Sequence, residues 1–405
     1  MFHYHTLPNG LRIILSPRQT PVVYAGVYIN VGSRDEQSSE EGVAHFIEHS
    51  IFKGTEHRKA YHILNRIDGV GGELNAFTTK EETCVYASAT REHLGRCLEL
   101  FADVLFHSVF PLHEIENEKD VVIEEINSYR DTPAEQIYDD FEELIFKGHP
   151  LAHNILGSKR NVRRFTPDML RSFMRKHYTP DRMVVSVVGD VPMSRLVRLC
   201  ERHFGDYRAL ASDTFRDVAP QPQHFNQQMV RHTHQTHLMM GCPAPGIFDE
   251  DKVPFTLLNN LLGGPAMNSR LNVAIRERHG FCYTIESQYV PFSDTGLFYL
   301  YAGIDDSSLD RAVELIVKEL RRMCDTPLST TQLHAAQRQL VGQMTINNDT
   351  AMNEMQSIGK AYLNFERVDT LEEMNRDILQ VTAADLQRVA TRYLKETEIS
   401  YLVYN

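Results

Sequence analysis

Residues 42–54 read GVAHFIEHSIFKG, and this short apolar stretch organises the interpretation of the whole chain. In it, His45, Glu48 and His49 stand in the order His-x-x-Glu-His. A helix turns about 100° per residue, so side chains three and four residues apart share a face. Two imidazoles one turn apart can bind one tetrahedral zinc ion, and a carboxylate beside them can act as a general base. The alternative is an ordinary surface helix, in a chain that holds 19 histidines.

Length and composition indicate a globular protein with two domains. The chain has 405 residues, of which 42% are hydrophobic and 24% are charged. A chain of this length usually divides into two domains, and its longest apolar runs are far too short to cross a bilayer. Its start lacks the features of a secretory leader or a transit peptide. We therefore expect a cytoplasmic protein that does not associate with a membrane.

Charge and cysteine content exclude further classes of protein. The formal net charge of −12 argues against a nucleic-acid partner and favours cationic substrates. The six cysteines are scattered without a Cys-x-x-Cys pair, which is too sparse for a disulfide framework. We expect reduced, buried thiols and no cysteine metal site.

The order of predicted elements recurs along the chain. Residues 165–189 read FTPDMLRSFMRKHYTPDRMVVSVVG, and residues 381–405 read VTAADLQRVATRYLKETEISYLVYN. Each segment predicts a capped helix, a short turn and a strand, and the two segments begin 216 residues apart. The aperiodic stretch 206–228 contains two prolines close together and predicts a linker between two domains.

Two copies of one α+β unit are the economical interpretation of this recurrence. We predict a first repeat at residues 1–205 and a second at residues 229–405, each a mainly antiparallel sheet packed against helices. Moving by about the same offset from His45 leads to LLNNLL at Leu257–Leu262, which has no metal-binding side chains. The metal site should therefore belong to the first repeat alone.

Two histidines do not complete a zinc site, because a catalytic zinc ion usually takes three protein ligands. The predicted helix at residues 117–131 contains Glu118 and Glu125, which are seven residues apart and share a face. Glu125 has apolar neighbours in the sequence, whereas a solvated glutamate would lie on the polar face. The alternative is a Glu/Lys-rich surface helix.

Three segments together carry a resemblance to a known family. They are HFIEH at 45–49, GGELNAFTTKEETCVY at 71–86 and EKDVVIEEI at 118–126. The chain resembles the pitrilysin/insulin-degrading/mitochondrial-processing-peptidase family over nearly its whole length. It is most similar to the short bacterial members with two repeats. The order of residues in the first segment is that of the inverted zincins.

The resemblance assigns roles to five side chains. It implies that His45, His49 and Glu125 bind one Zn²⁺ ion per chain and that Glu48 is the general base. It also implies that Glu118 orients the ligands without binding the ion itself.

The family holds its substrate as an added β-strand beside the metal helix. Here the corresponding strand is residues 73–79, with Asn75, Ala76 and Phe77 as candidate substrate-binding residues. Strand addition works through main-chain hydrogen bonds and therefore selects extended shape more than sequence. Alternatively, Asn75 is an ordinary turn or strand-end residue.

In the second half, the resemblance implies that Arg276 and Tyr283 contact the substrate and the oxygen that becomes negative in the transition state. A cation and a phenol can both stabilise such an oxygen. Alternatively, Arg276 is a solvated helix charge. The family's three adjacent glycines are replaced here by Gly263-Gly264-Pro265, which leaves the shape of this loop open.

Three histidines offer one more candidate metal site. His232, His234 and His237 are spaced by two and three residues along a probable strand. Strand alternation places the first two on one face and the third on the other, which weighs against a shared ion.

The resemblance implies a zinc-dependent metalloendopeptidase that hydrolyses unfolded peptides in an enclosed chamber. The family's complete clam-shell chamber has four repeats, so this chain would form half of it. A homodimer, or a pair with a homologous partner chain, is therefore expected, with Arg276 and Tyr283 acting on the zinc of the other chain. The alternatives are a non-catalytic assembly or scaffold subunit and a presequence-processing subunit with a different partner. All four active-site residues are present, which favours the enzyme.

Overall fold

The computed structural model describes residues 1–208, 216–220, 224–231 and 233–405, which form two compact units. The first unit comprises Met1–Asn127, His153–Asp217 and Asn347–Thr370. The second unit comprises Ser128–Ala152, Val218–Ile346 and Leu371–Asn405. In these described ranges, no helix is long and apolar enough to span a membrane.

Strands and helices are distributed over both units. The strands are β1 (His3–Thr6), β2 (Arg12–Pro17), β3 (Val22–Ile29), β4 (Glu73–Thr78), β5 (Thr83–Thr90), β6 (Met183–Gly189), β7 (Asn226–Met229), β8 (Thr236–Ala244), β9 (Cys282–Pro291), β10 (Gly296–Ile304) and β11 (Ser400–Tyr404). The α-helices are α1 (Val43–Ser50), α2 (Ala60–Asp68), α3 (Leu94–Phe106), α4 (Leu112–Arg130), α5 (Pro133–Ile145), α6 (Lys159–Val162), α7 (Pro167–His177), α8 (Met193–Phe204), α9 (Lys252–Gly263), α10 (Leu309–Asp325), α11 (Thr330–Asn347), α12 (Ala351–Phe365), α13 (Leu371–Gln380) and α14 (Ala383–Tyr393). A π-helix covers Asn272–Glu277.

The first unit contains a six-stranded sheet in the order β1-β2-β6-β3-β5-β4. β2 and β6 are parallel, and the other neighbours are antiparallel. The β1–β2 hairpin turns at Asn9–Gly10, where Gly10 has a φ of +90° that favours glycine. The Asn9 side chain supports the turn, because its Oδ1 accepts a hydrogen bond from the Leu11 N–H at 3.2 Å.

Different parts of the chain cover the two faces of this sheet. On one face, α1 and α3 contribute Phe46 and Phe101 to the main apolar core. On the other face, Met355 and Ile358 of α12 pack against Tyr28 of β3. Burying a side chain of this size contributes about 1.5–3 kcal/mol, so both layers are needed to keep the sheet out of water.

The second unit contains a five-stranded sheet in the order β7-β11-β8-β10-β9. β7 and β11 are parallel, and the other neighbours are antiparallel. On one face, Phe255 of α9 and Val389 of α14 belong to the apolar core. On the other face, Ile137 and Phe141 of α5 pack against Tyr404 of β11.

The two sheets repeat one topology. The orders β2-β6-β3-β5-β4 and β7-β11-β8-β10-β9 share their connectivity and the position of the parallel pair. This confirms the predicted α+β class with two homologous repeats, each a mainly antiparallel sheet packed against helices. Each unit also takes one helix from the other half of the chain: α12 joins the first sheet, and α5 joins the second.

The predicted repeats end and begin at residues 205 and 229. These boundaries refer to segments of the sequence, and they stay a prediction. The predicted linker, residues 206–228, lies partly outside the described residues. Strand β7 begins inside it, at Asn226. Its sequence, NQQM, is polar and largely exposed, so it lacks the apolar alternation by which a strand is recognised.

Candidate metal centre

Helix α1 begins at a backbone position that favours glycine. Gly42, just before the helix, has a φ of +92°, and a Cβ there would lie 2.7 Å from the carbonyl oxygen of Leu156. The carboxylate of Glu36 accepts hydrogen bonds from the N–H groups of Gly42 and Ala44, each at 2.8 Å. The N–H groups at a helix N-terminus have no acceptor within the helix, and the carboxylate of Glu36 supplies one. These hydrogen bonds also fix the start of the helix that carries the predicted ligands.

The structure brings His45, His49 and Glu125 together. One possible ligand atom from each lies within 4.8 Å of the others. Glu125 Oε2 is 3.3 Å from His49 Nε2 and 3.8 Å from His45 Nε2. This oxygen is buried and has no hydrogen-bond partner among the described residues. Two imidazoles and one carboxylate are a ligand set of catalytic zinc sites, so the arrangement fits zinc, while the role of each ligand stays a prediction.

The protonation states of His45 and His49 depend on the charged groups around them. Burial and the neighbouring His49 lower the pKa of His45 to about 4. Burial alone would lower the pKa of His49, but contacts with Glu118 and Glu125 raise it to about 9. A protonated His49 thus offsets part of the negative charge of the two carboxylates. Binding of a divalent ion would release this proton, because a ligating imidazole must be neutral.

Glu118 lies behind His49 and outside the cluster of ligand atoms. Its Oε1 is 3.0 Å from His49 Nδ1, and its Oε2 is 2.7 Å from Lys53 Nζ. Burial would raise the pKa of Glu118, but the contacts with His49 and Lys53 lower it. The carboxylate therefore holds the Nδ1–H of His49 and directs Nε2 towards Glu125. A carboxylate commonly orients a ligating histidine in this way.

Glu48 lies on the same helix, beside Thr78 at the end of β4. Burial raises the pKa of Glu48, and its contacts with Thr78 and His49 offset this rise only in part. A raised pKa suits a carboxylate that takes up and returns a proton. Glu48 does not belong to the three residues whose ligand atoms converge, so its carboxylate is available for proton transfer.

Strand β4 is the outermost strand of its sheet in the described residues. It pairs with β5, placing Asn75 opposite Tyr86 and Ala76 opposite Val85. Asn75 is exposed, whereas Ala76 is buried. The Ala76 N–H donates to Asn75 Oδ1 at 2.8 Å, and the Phe77 ring packs 6.0 Å from the Tyr86 ring. An outer strand of this kind can accept an added strand.

Arg276 and Tyr283 lie in the second unit, in the π-helix and in β9. The guanidinium carbon of Arg276 is 5.6 Å from the centre of the Tyr283 ring, which is within the range of a cation–π contact. Tyr283 is 83% exposed, so the pair offers donors on an accessible surface. The nearby Gly263 is required by packing, because a Cβ there would lie 2.6 Å from Ser287.

Sequence reasoning did not single out Lys53 or Glu36. Lys53 lies four residues after His49 and just beyond the end of α1, and this closeness in the sequence could have identified it as a neighbour of the site. Glu36 gave no comparable signal. It lies outside α1 and reaches the N-terminus of that helix through the path of the preceding loop.

The histidine cluster of the second half can be followed only in part, because His232 lies outside the described residues. His237 is buried, and its Nδ1 is 2.9 Å from the hydroxyl of Tyr301. This contact engages His237 within the interior of the second unit.

Two family models match consecutive parts of the chain. Residues 12–159 match insulinase (peptidase family M16), and residues 164–340 match the peptidase M16 inactive domain. YmxG of Bacillus subtilis, described as an uncharacterized zinc protease, is 34% identical over 96% of this chain and 94% of its own length. A protein of Streptomyces coelicolor with the same description is 33% identical over 95% of this chain and 85% of its own length.

Solved structures share the fold. A protease from Helicobacter pylori aligns with a TM-score of 0.92 at 24% identity, covering 100% of this chain and 99% of its own. A protein from Pseudomonas fluorescens, described as a peptidase M16 inactive domain, aligns with a TM-score of 0.93 at 17% identity, covering 100% and 97%. At these identities the likeness concerns the fold alone.

Proposed function

Because this chain belongs to peptidase family M16, we propose that it is a zinc-dependent metalloendopeptidase that hydrolyses unfolded peptides. The observation that carries the proposal is the convergence of His45 Nε2, His49 Nε2 and Glu125 Oε2, with Glu48 on the same helix. The description of the relatives as zinc proteases supports the choice of metal. We propose that one Zn²⁺ ion is held tightly by each chain.

The side chains of the proposed metal centre have different roles in hydrolysis. When bound, zinc supplies a Lewis acid that polarises the scissile carbonyl and activates the attacking water. Glu48 accepts a proton from that water and passes it to the leaving amine. Glu118 keeps the proton of His49 on Nδ1, and Lys53 holds Glu118 in turn. His49 is thereby fixed in the orientation that a ligand requires.

The substrate is proposed to bind as an added strand along β4, beside Asn75, Ala76 and Phe77. Main-chain bonding of this kind requires an extended segment, so unfolded peptides are cleaved and folded proteins are spared. The net charge of −12 favours cationic peptides and disfavours nucleic acid as a partner.

We propose that the active enzyme is a homodimer that encloses its substrate in a chamber. A two-fold dimer is the commonest soluble oligomer, and the family's chamber needs four repeats. Arg276 and Tyr283 of one chain would then stabilise the negative oxygen that develops on the scissile carbonyl of a substrate held at the metal centre of the other chain. All six cysteines are free, which supports a cytoplasmic location.

The test measures tightly held zinc and the cleavage of an unstructured peptide in the same preparations. Dialysed wild-type protein should keep about one zinc ion per chain. Glu48→Gln should keep the zinc but lose activity by about 100-fold or more, and Glu125→Gln should lose most of the zinc. Glu124→Gln is the matched control. Its side chain is exposed on the neighbouring position of α4, so both properties should be retained.

Two results would contradict the proposal. A His45→Ala/His49→Ala variant that retains as much tightly held zinc as the wild type would exclude the metal centre. Equal rates of cleavage for a stable globular protein and for its unfolded form would exclude binding as an extended strand in an enclosed chamber.

A further inference from the structure

A second group of metal-binding side chains lies in the first unit, apart from the centre described above. Glu56, His57 and His107 each place one possible ligand atom within 4.8 Å of the others. Glu56 and His57 lie between α1 and α2, and His107 directly follows α3. We propose that these three residues form a second metal site, which binds a zinc ion in addition to the one at the proposed catalytic centre.

The ring of His57 is oriented by a buried carboxylate. Its Nδ1 lies 2.6 Å from Oδ1 of Asp103, whose side chain is 4% exposed. Because a carboxylate accepts, this contact assigns the proton of a neutral His57 to Nδ1 and leaves the lone pair of Nε2 for a metal. Ligating histidines almost always donate their other N–H to a carboxylate, a carbonyl or water.

Asp103 is itself held in place from several sides. Its Oδ2 accepts hydrogen bonds from Thr55 Oγ1 at 2.9 Å and from Arg58 Nη1 at 2.5 Å. Thr55 Oγ1 also accepts the main-chain N–H of His57 at 3.1 Å. The support of His57 is therefore built before any ion binds, which lowers the cost of ordering this ligand.

His107 is oriented by an equivalent contact. Its Nε2 is 2.5 Å from the hydroxyl of Tyr207, while its Nδ1 is 3.3 Å from Oε2 of Glu56. The Tyr207 ring stacks on Phe106 with a centroid distance of 3.8 Å, which fixes the hydroxyl. The main-chain N–H of Glu56 donates to the carbonyl of His107 at 2.9 Å. The two segments that carry the ligands are thus already joined.

The donor set indicates zinc. Two imidazoles and one carboxylate suit zinc, whereas calcium and magnesium take oxygen ligands. The side chains of Glu56 and His57 are 64% and 55% exposed, compared with 9% for His45. An ion must immobilise the exposed side chain of Glu56, so this site binds zinc more weakly than the proposed catalytic centre. The ion would join the segment after α1 to the end of α3.

The test titrates metal-free, full-length protein with Zn²⁺ and counts the ions bound. Wild-type protein should bind one ion tightly and a second more weakly. His57→Gln and Glu56→Gln should each lose the second ion and keep the first. Tyr207→Phe preserves the stacked ring but removes the hydroxyl, and it should weaken the second ion by about 10-fold or more. His113→Gln is the control, because this nearby histidine has a 76% exposed side chain and lies outside both clusters.

A His45→Ala/His49→Ala variant should lose the tight ion and retain the weaker one, so failure at one centre is distinguishable from failure at the other. A single ion per wild-type chain at saturating Zn²⁺ would overturn the proposal. Unchanged affinity for the second ion in both His57→Gln and Glu56→Gln would also overturn it and would indicate adventitious surface binding. Glu56 is exposed, so its substitution should leave the fold intact.

Discussion

At the scale of single residues, the buried histidine at the end of α7 links pH to stability. His177 is 2% exposed, and its Nδ1 accepts a hydrogen bond from Nη1 of Arg182 at 3.1 Å. Burial and the charge of Arg182 lower the pKa of His177 from 6.5 to about 4. The folded protein therefore keeps this ring neutral under conditions in which the unfolded chain protonates it.

We expect this histidine to decrease the free energy of unfolding as the pH falls from 6.5 towards 4, because only the unfolded state binds the proton there. Between pH 7 and pH 5, the titration of His177 should lower the free energy of unfolding by about 2 kcal/mol. Urea unfolding at both pH values measures this change. In His177→Asn, the side-chain oxygen can accept the hydrogen bond from Arg182 but does not titrate. The decrease in the free energy of unfolding between pH 7 and pH 5 should therefore be about 2 kcal/mol smaller in this variant than in the wild type. An identical pH dependence in both proteins would contradict the assignment.

At the scale of elements, the orientation of α1 depends on a residue outside the helix. α1 has eight residues, so its N-terminal turn is a large part of it. The buried carboxylate of Glu36 bonds both Gly42 and Ala44 there. Burial raises the pKa of Glu36 well above its usual range, although these two backbone bonds oppose the rise. Both carboxylate oxygens of Glu36 accept one of these hydrogen bonds. An amide side chain has only one oxygen, so a glutamine at this position could replace only part of this arrangement.

Glu36→Gln should therefore lower the free energy of unfolding by about 1–3 kcal/mol, because one backbone N–H loses its buried acceptor. It should also weaken binding of the proposed zinc ion, since the helix that carries two predicted ligands is less well fixed. Denaturant unfolding and zinc competition with a chelator measure the two effects. Glu40→Gln is the control, as its carboxylate makes a longer contact, 3.4 Å from the Gln37 N–H. Equal zinc affinity in both variants would disprove the positioning role of Glu36.

At the scale of the whole molecule, the two repeats share a strand order but differ in chemistry. In the second unit, α9 lies at about the 216-residue offset from α1, and its segment Leu257–Leu262 has no metal-binding side chains. The second unit instead presents Arg276 and the exposed Tyr283, which contact each other. A chain with one proposed catalytic centre and one such pair suits the proposed dimer, in which each active site combines groups from both chains.

This arrangement predicts complementation between two inactive variants, Glu48→Gln and Tyr283→Phe, under conditions where subunits exchange. When equal amounts of the two variants exchange subunits at random, about half of the dimers contain one chain of each variant. In each of these mixed dimers, one of the two active sites has both an intact Glu48 and an intact Tyr283. About a quarter of wild-type peptidase activity should therefore return on mixing. If both groups served the site of their own chain, every site would keep one lesion.

The control mixes Glu48→Gln with the double variant Glu48→Gln/Tyr283→Phe, in which no chain has an intact base. This mixture should stay inactive even when exchange is complete. Demonstrated exchange without recovery in the first mixture, with each parent inactive alone, would refute the shared active site.

Much of the proposed metal centre was accessible from the sequence because its parts are local. His45, Glu48 and His49 lie within two turns of one helix, and Glu118 and Glu125 lie two turns apart on another. Helical geometry then places each set on one face. The meeting of the two helices followed from the family resemblance, and the structure brings the three ligand atoms within 4.8 Å of one another.

The sequence by itself determined the local features of this protein: the face of α1 that carries the predicted ligands, the hairpin turn at Asn9–Gly10 and the recurrence of one α+β unit. Only the tertiary structure decided that α12 covers the first sheet and α5 the second. It alone decided that Glu36 bonds α1 and that His107 meets His57, which lies 50 residues earlier in the chain. The physical reason is that periodicity shows which face of an element is apolar, whereas the path of the chain decides which other element buries that face.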